Sequence, residues 1–184
     1  NVDLTYLVMD NQIYGLTKGQ LSPTSHKGLR TVTSVTGSIE QPFNPLLSVL
    51  AYGAPFVAQG TPADMAGLSA MIEEAIRFPG FAFVNVQSPC VTFGDADWQL
   101  KAHKAAMQRA ADRGHDPTDR VRAMDLAQGY GSELVTGVLY RNPDPPPTYG
   151  ALVRERQDAV RADAGDRAHA LQRFVAHQAG EDVA

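Results

Sequence analysis

Cysteine is almost absent: Cys90 is the single thiol among 184 residues. No intrachain disulfide can form, and no metal centre can be built from this chain's thiolates alone, although a centre shared with thiols elsewhere stays open. Basic residues are outnumbered, 16 Lys and Arg against 20 Asp and Glu, and the formal charge is −4. Lys and Arg do not cluster, so the electrostatic footprint of a nucleic-acid binder is missing. No apolar run approaches the roughly 20 residues that cross a bilayer, and the opening residues lack the basic and apolar regions of a signal peptide. These absences point to a cytoplasmic protein with neither nucleic acid nor membrane as partner. An initiator Met is also missing, and a strand-like pattern begins at once in Asn1 to Met9. The chain therefore reads as a fragment.

What is present is the material of a core. Hydrophobic residues make up 43% of the chain, enough for one domain or a large part of one. Leu4 to Met9 is an apolar run without alternation, the pattern of a strand buried on both faces of a parallel sheet. Gly15 to Gly37 is rich in Gly, Ser, Thr and Pro and has no period, so it reads as a long ordered loop over a site. Asn44 to Tyr52 is a short apolar helix ended by Gly53, and Pro55 to Ala58 a brief strand. Thr61-Pro62-Ala63-Asp64 opens the next helix, with Thr61 as N-cap and Pro62 at its first position. Met65, Leu68, Ile72 and Ile76 supply its apolar face, and Pro79-Gly80 stops it. Phe81 to Val86 is a second buried strand, and the order strand, helix, strand implies a right-handed crossover in a parallel sheet. Trp98 to Arg113 and Asp119 to Gln128 read as helices, and Leu134 to Tyr140 as a third strand. The expected class is α/β, a parallel sheet flanked by helices. Asn142 to Pro147 is a stiff Pro-rich linker. It leads to a polar tail, Leu152 to Gln178, that is either a surface helix or partly disordered.

In parallel α/β sheets, ligands sit beyond the carboxyl ends of the strands, where backbone groups are free. Asn11 follows one expected strand and Cys90 another, so both fall on that edge if the strands share a sheet. The Asn11 side-chain oxygen and the Ile13 carbonyl, two residues on, are suitable hard ligands for Mg²⁺. The blander alternative is a turn-forming Asn. Cys90 is equally open, since a lone Cys usually packs as a small hydrophobe. His115-Asp116-Pro117 reads as a turn or helix start. His26, His103, His169 and His177 have no evident partner, and neither a Ser-His-Asp arrangement nor zinc-ligand spacing is visible.

Two segments carry a family likeness. Asp10 to Thr24, DNQIYGLTKGQLSPT, resembles the loop after the thiamine diphosphate motif in β subunits of 2-oxoacid:ferredoxin oxidoreductases, especially the 2-oxoglutarate type. Ser88-Pro89-Cys90-Val91-Thr92-Phe93 resembles a second segment of those subunits. Ile39 to Pro45, Gly80-Phe81-Ala82, His115-Asp116-Pro117 and Gly137 to Tyr140 add weaker likenesses, so the resemblance spans about residues 1 to 149. It implies the C-terminal part of a thiamine-diphosphate-binding domain, incomplete at its N-terminus, followed by the tail at 150 to 184.

By the resemblance, the residues matching Asn11 and Ile13 hold Mg²⁺ with an Asp from an upstream Gly-Asp-Gly, and the metal holds the cofactor's diphosphate. Cys90 matches one of four thiolate ligands of a 4Fe-4S cluster. Leu16 and Lys18 match positions that face the substrate, where a Lys ammonium can pair with a distal carboxylate; the alternative for Lys18 is an exposed loop lysine. The Gly-Asp-Gly and the other three cysteines do not occur in this sequence. The implied reaction is oxidative decarboxylation of 2-oxoglutarate to succinyl-CoA and CO2. Electrons pass through the cluster to ferredoxin, with an α subunit and coenzyme A as further partners. Three alternatives stay open: a subunit for pyruvate or another 2-oxoacid, an inactive assembly fragment, and a thiamine-dependent decarboxylase without a redox role.

Overall fold

A computed structural model describes residues 1–93 and 96–178, with backbone alone at 96–98. Leu4–Asp10 forms β1, and a short hairpin of β2, Ile13–Tyr14, and β3, Gln20–Leu21, follows it. After a long loop, Asn44 caps α1, Pro45–Ala51, by accepting from the Leu47 N–H at 3.0 Å. Then come β4, Phe56–Gly60, α2, Met65–Arg77, and β5, Phe81–Gln87. The chain continues through α3, Ala96–Ala106, β6, Met107–Arg109, α4, Arg120–Ala127, and β7, Leu134–Arg141.

The sheet runs β1-β5-β4-β7-β6. β1, β5 and β4 are mutually parallel and so share one carboxyl edge; β7 runs antiparallel to β4, and β6 parallel to β7. The expected parallel sheet is therefore mixed at one side. Helices cover both faces, because side chains alternate along each strand. Phe56, Ala58, Ala82, Val84 and Val86 pack with Leu68, Met71 and Ala75 of α2. On the other face Val57 and Phe83 join Leu46 and Leu50 of α1, Ala123 and Leu126 of α4, and Leu139 of β7. Burial of each large side chain here is worth about 1.5–3 kcal/mol. In the carboxyl halves of β4 and β5 this second face turns polar, with Gln59, Asn85 and Gln87 buried. Gln59 accepts from Asn85 Nδ2 at 3.0 Å and donates to the Val135 carbonyl at 2.9 Å.

Several expectations need correction. β1 is an edge strand: β5 pairs with one side of it, and Leu4, Tyr6, Leu7 and Met9 are exposed. The expected burial on both faces therefore fails for β1, because the described helices pack chiefly over β4 and β5 and leave this end of the sheet largely uncovered. Thr61 caps a single 3-10 turn, and Asp64 caps α2 itself by accepting from the Gly67 N–H at 3.1 Å. The buried face of α2 runs through Leu68, Met71 and Ala75, with Ile72 beside it, while Met65 and Ile76 are exposed. Ile76, eight positions from Leu68, lies about 80° around the helix. The helix expected over Trp98 to Arg113 stops at Ala106, because Met107–Arg109 pairs with Leu134–Thr136 as β6.

From Pro147 onward the chain is a separate compact unit. Its helix α5, Tyr149–Gln178, carries ion pairs between successive turns, Asp158 with Arg161 at 3.6 Å and Asp163 with Arg167 at 2.8 Å. The end of the expected tail, 179–184, lies outside the described residues.

Candidate functional site

The register that sets Asp10 of β1 against Gln87 of β5 builds the site. Asp10 is 5% exposed and every acceptor position of its carboxyl group is used. Oδ1 accepts from the Gln12 N–H at 3.2 Å and Thr24 Oγ1 at 2.7 Å; Oδ2 accepts from Gln87 Nε2 at 3.2 Å and from the Tyr130 hydroxyl. A carboxylate offers about four lone-pair sites, so Asp10 is a structural anchor with none left for a metal. Burial, then the adjacent Asp10, pushes the Tyr130 phenol well above its ordinary range.

This anchor fastens the loop that follows. Gln12 adopts a left-handed backbone, φ 59°, which turns the chain away from β1. Its side chain donates to Gln87 Oε1 at 3.1 Å, and its carbonyl accepts from Ser25 Oγ at 2.6 Å. The loop up to α1 is held by its own backbone, with Gly28 N–H to Ser38 O at 2.7 Å, Ser38 N–H to Leu29 O at 3.0 Å and Phe43 N–H to Pro23 O at 2.8 Å. It is the ordered loop the composition predicts.

Asn11 Oδ1 accepts from the Ile13 N–H at 3.2 Å, forming the local turn that its residue type favours. The turn fixes the amide oxygen while leaving its second lone pair available, and carbonyl oxygens suit a hard divalent cation. Asn11 and Ile13 thus fit a partial Mg²⁺ anchor. Beyond them, the hairpin loop Gly15 to Gly19 closes with Gly19 N–H to Tyr14 O at 2.9 Å. Leu16 stands at its tip, fully exposed. Lys18 and Gly19 both have positive φ, 73° and 88°, and a Cβ on Gly19 would lie 2.9 Å from the Phe93 ring.

That ring belongs to the second segment. Beyond β5, Ser88 N–H donates to Asp10 O at 3.0 Å, and Cys90 N–H to Gln99 Oε1 at 3.0 Å. Cys90 is 6% exposed, and its Sγ accepts from the Phe93 N–H at 3.3 Å. Hydrogen bonds to cysteine sulfur are one of the levers that tune iron-sulfur centres, so this turn accommodates a cluster ligand as well as a buried thiol. Among the described residues no three His, Cys, Asp or Glu side chains form a metal cage.

Two clefts flank the anchor. One, of 410 Å³, is lined by Ile13, Lys18, Gly19, Arg30, Val35 and Phe93 among others. The other, of 210 Å³, lies over the polar strand ends, with Gln12, Gln59, Gln87, His103 and Tyr130 in its walls. His103 Nδ1 meets Thr61 Oγ1 at 3.0 Å, and burial lowers the pKa of its ring. His115 has the turn role: its Nε2 meets Leu139 O at 2.6 Å, and Asp116 Oδ1 accepts from the Thr118 N–H at 2.8 Å.

Comparison with known proteins accords with this geometry. A family model described as thiamine pyrophosphate enzyme, C-terminal TPP binding domain, matches residues 1–86. A second, describing the C-terminal part of the pyruvate ferredoxin oxidoreductase beta subunit, matches residues 90–158. The join falls between β5 and Cys90. Between them the two models take in most of the chain, which is similar to 2-oxoacid:ferredoxin oxidoreductase β subunits. It is 32% identical to the 2-oxoacid:ferredoxin oxidoreductase subunit beta of Saccharolobus solfataricus over 165 residues, covering 85% of this chain and 54% of that one. The 2-oxoglutarate oxidoreductase subunit KorB of Mycobacterium tuberculosis is 36% identical over 115 residues, 62% of this chain and 31% of its own. The solved 2-oxoglutarate:ferredoxin oxidoreductase from Magnetococcus marinus, with 2-oxoglutarate, coenzyme A and succinyl-CoA bound, superposes with a TM-score of 0.78 at 38% identity. It covers 87% of this chain and 54% of that one. The chain spans about half the length of the 2-oxoacid:ferredoxin oxidoreductase β subunits it matches.

Of the residues singled out in the sequence, Asn11 and Ile13 share one turn, Ile13 and Lys18 share one cleft, and Cys90 reaches that cleft's wall through Phe93. Leu16 does not line it. Sequence reasoning missed Asp10, Gln12, Gln87 and Tyr130. An acid closing an apolar strand was the signal for Asp10; nothing local marks Tyr130, 120 residues away.

Proposed function

We propose that this chain is the thiamine-diphosphate part of a 2-oxoglutarate:ferredoxin oxidoreductase β subunit, with residues 1 to 149 forming that domain and 150 to 184 a tail. The observation that carries the reading is the meeting of the Asn11 and Cys90 loops. They leave adjacent parallel strands at one carboxyl edge, are joined through Ser88 N–H and Asp10 O, and touch again where Phe93 packs on Gly19. A metal anchor and a thiolate beside each other are what an enzyme coupling decarboxylation to electron transfer requires, because electrons need a short path.

Asn11 Oδ1 and the Ile13 carbonyl would hold Mg²⁺ and through it the diphosphate, completed by residues outside this chain. Cys90 would supply one thiolate to a 4Fe-4S cluster. Bound here, thiamine diphosphate would supply an electron sink for loss of CO2 from the 2-oxoacid. Lys18 would pair with the distal carboxylate, and Leu16, exposed at the hairpin tip, would meet the substrate where the site is closed by an α subunit. Ferredoxin and coenzyme A complete the partners, in a cytoplasmic complex. The 2-oxoglutarate assignment draws support from Lys18, from the KorB relative and from the Magnetococcus marinus neighbour. This chain by itself, without the residues that would complete the metal and cluster sites, is expected to be inactive.

The test is calorimetry on the intact subunit with Asn11→Ala. Thiamine diphosphate affinity at fixed Mg²⁺ is expected to fall about tenfold or more, the scale of losing support at a metal site. Unchanged affinity would remove Asn11 from the ligand set.

A further inference from the structure

Arg30 lines the same cleft as Lys18, 12 residues on in the chain. Its backbone is held on both sides, while its side chain, like that of Lys18, is exposed. Before it, Gly28 and Leu29 pair with Ser38; after it, Thr31 and Ser34 close a small turn through reciprocal backbone bonds of 3.2 and 3.1 Å. Gly37 packs so closely on this segment that a Cβ there would lie 2.8 Å from the Gly28 carbonyl oxygen. Arg30 thus stands between two fixed backbone features. Among the described residues no carboxylate lines the cleft, and neither Lys18 nor Arg30 makes an ion pair. Val32, Val35 and Phe93 give the same walls an apolar character.

Two basic side chains lining one partly apolar cleft, with no carboxylate among its described walls, give it a positive potential that favours an anion. We infer that Arg30 and Lys18 form one anion subsite, and that Arg30 is a specificity residue holding the distal carboxylate of a dicarboxylic 2-oxoacid. This rests on the role proposed above for Lys18 and extends it. A guanidinium engages both carboxylate oxygens through its fork, whereas an ammonium adds a point charge. The apolar walls suit the methylenes between the two ends of such a substrate. A monocarboxylic 2-oxoacid presents no second anion to the pair.

The cofactor's diphosphate offers similar chemistry from another source, since Ile13 lines the same cleft. The experiment therefore uses the intact α/β complex with Arg30→Gln, Arg30→Lys and Lys18→Ala. It measures the KM for 2-oxoglutarate and pyruvate, the inhibition constant of glutarate as a non-reacting dicarboxylate, and the Kd of thiamine diphosphate by calorimetry. Arg30→Gln is expected to raise the glutarate constant and the 2-oxoglutarate KM about tenfold, the scale of one charge-assisted hydrogen bond. Pyruvate KM and cofactor Kd stay unchanged, and Arg30→Lys restores part of the loss. A weakened cofactor with unchanged glutarate binding would overturn the inference and assign the pair to the diphosphate. A glutarate effect from Lys18→Ala but none from Arg30→Gln would overturn it while leaving the Lys18 role intact. No glutarate effect from either variant would overturn both.

Discussion

Tyr130→Phe removes one hydroxyl and leaves a ring of nearly the same shape in the core. Asp10 then keeps three of its four donors while staying 5% exposed, so the lost bond cannot be replaced by bulk water. A hydrogen bond to a charged group contributes about 1.5–3 kcal/mol net, and about 1.4 kcal/mol is a factor of ten. Local opening of the Asn11 to Ser25 loop should therefore rise roughly 10- to 150-fold. Amide hydrogen exchange on the intact subunit reads this directly. The Gln12 N–H, bonded to Asp10, and the Ser22 N–H, bonded to Ser25 Oγ, lose protection, while amides of the central strand β4 keep theirs. The pH dependence has a definite sign. Because the folded phenol titrates above its ordinary value, its contribution is complete below about pH 10, the unfolded tyrosine value, and is lost as pH rises through the folded one. The stability gap between wild type and Tyr130→Phe should close at high pH. Unchanged protection of Gln12 and Ser22 in a folded Tyr130→Phe protein would refute the anchor.

Gly19→Ala should destabilise by about 1–2 kcal/mol from the left-handed backbone alone, with the Phe93 contact adding to it, whereas a Cβ at Gly15 meets nothing within 4 Å. Urea midpoints that shift equally for Gly19→Ala and Gly15→Ala would contradict the packing of the two loops. Burial lowers the His103 pKa, so its stabilising contribution is present above about pH 6.5, the unfolded value, and is lost as pH falls through the folded one. His103→Gln should flatten that decline below about pH 6.5 in urea titrations, and an unaltered slope would assign the decline to other groups.

The sequence was most legible where short-range physics decides. The helices expected from Asn44 and from Asp119 form, each with that residue as its cap, Phe81 to Val86 is a buried strand, and the long Gly- and Ser-rich loop is ordered. Asn11 and Cys90 fell on one edge because any two strands of a parallel sheet put their carboxyl ends together. Tertiary choices were not legible. The direction of β7 depends on which neighbour it meets, and nothing in Leu134 to Tyr140 encodes that. Met107–Arg109 has no strand signature of its own and becomes β6 by pairing with β7. β1 shows the opposite failure, a strand whose composition asks for two covered faces but whose Leu4, Tyr6, Leu7 and Met9 are exposed at the end of the sheet. Within the candidate site, Asn11 and Ile13 came from local spacing and Lys18 and Cys90 from the family likeness, whereas Tyr130 joins from 120 residues away.

The pairing of a metal anchor with a cluster ligand is tested most directly at Cys90. Iron and sulfide analysis with electron paramagnetic resonance on the intact α/β complex, wild type against Cys90→Ala, is the decisive measurement. One stoichiometric 4Fe-4S cluster is expected in the wild type, lost or converted in Cys90→Ala while thiamine diphosphate remains bound. A wild type without iron, or a Cys90→Ala complex with an unchanged cluster signal, would contradict that pairing.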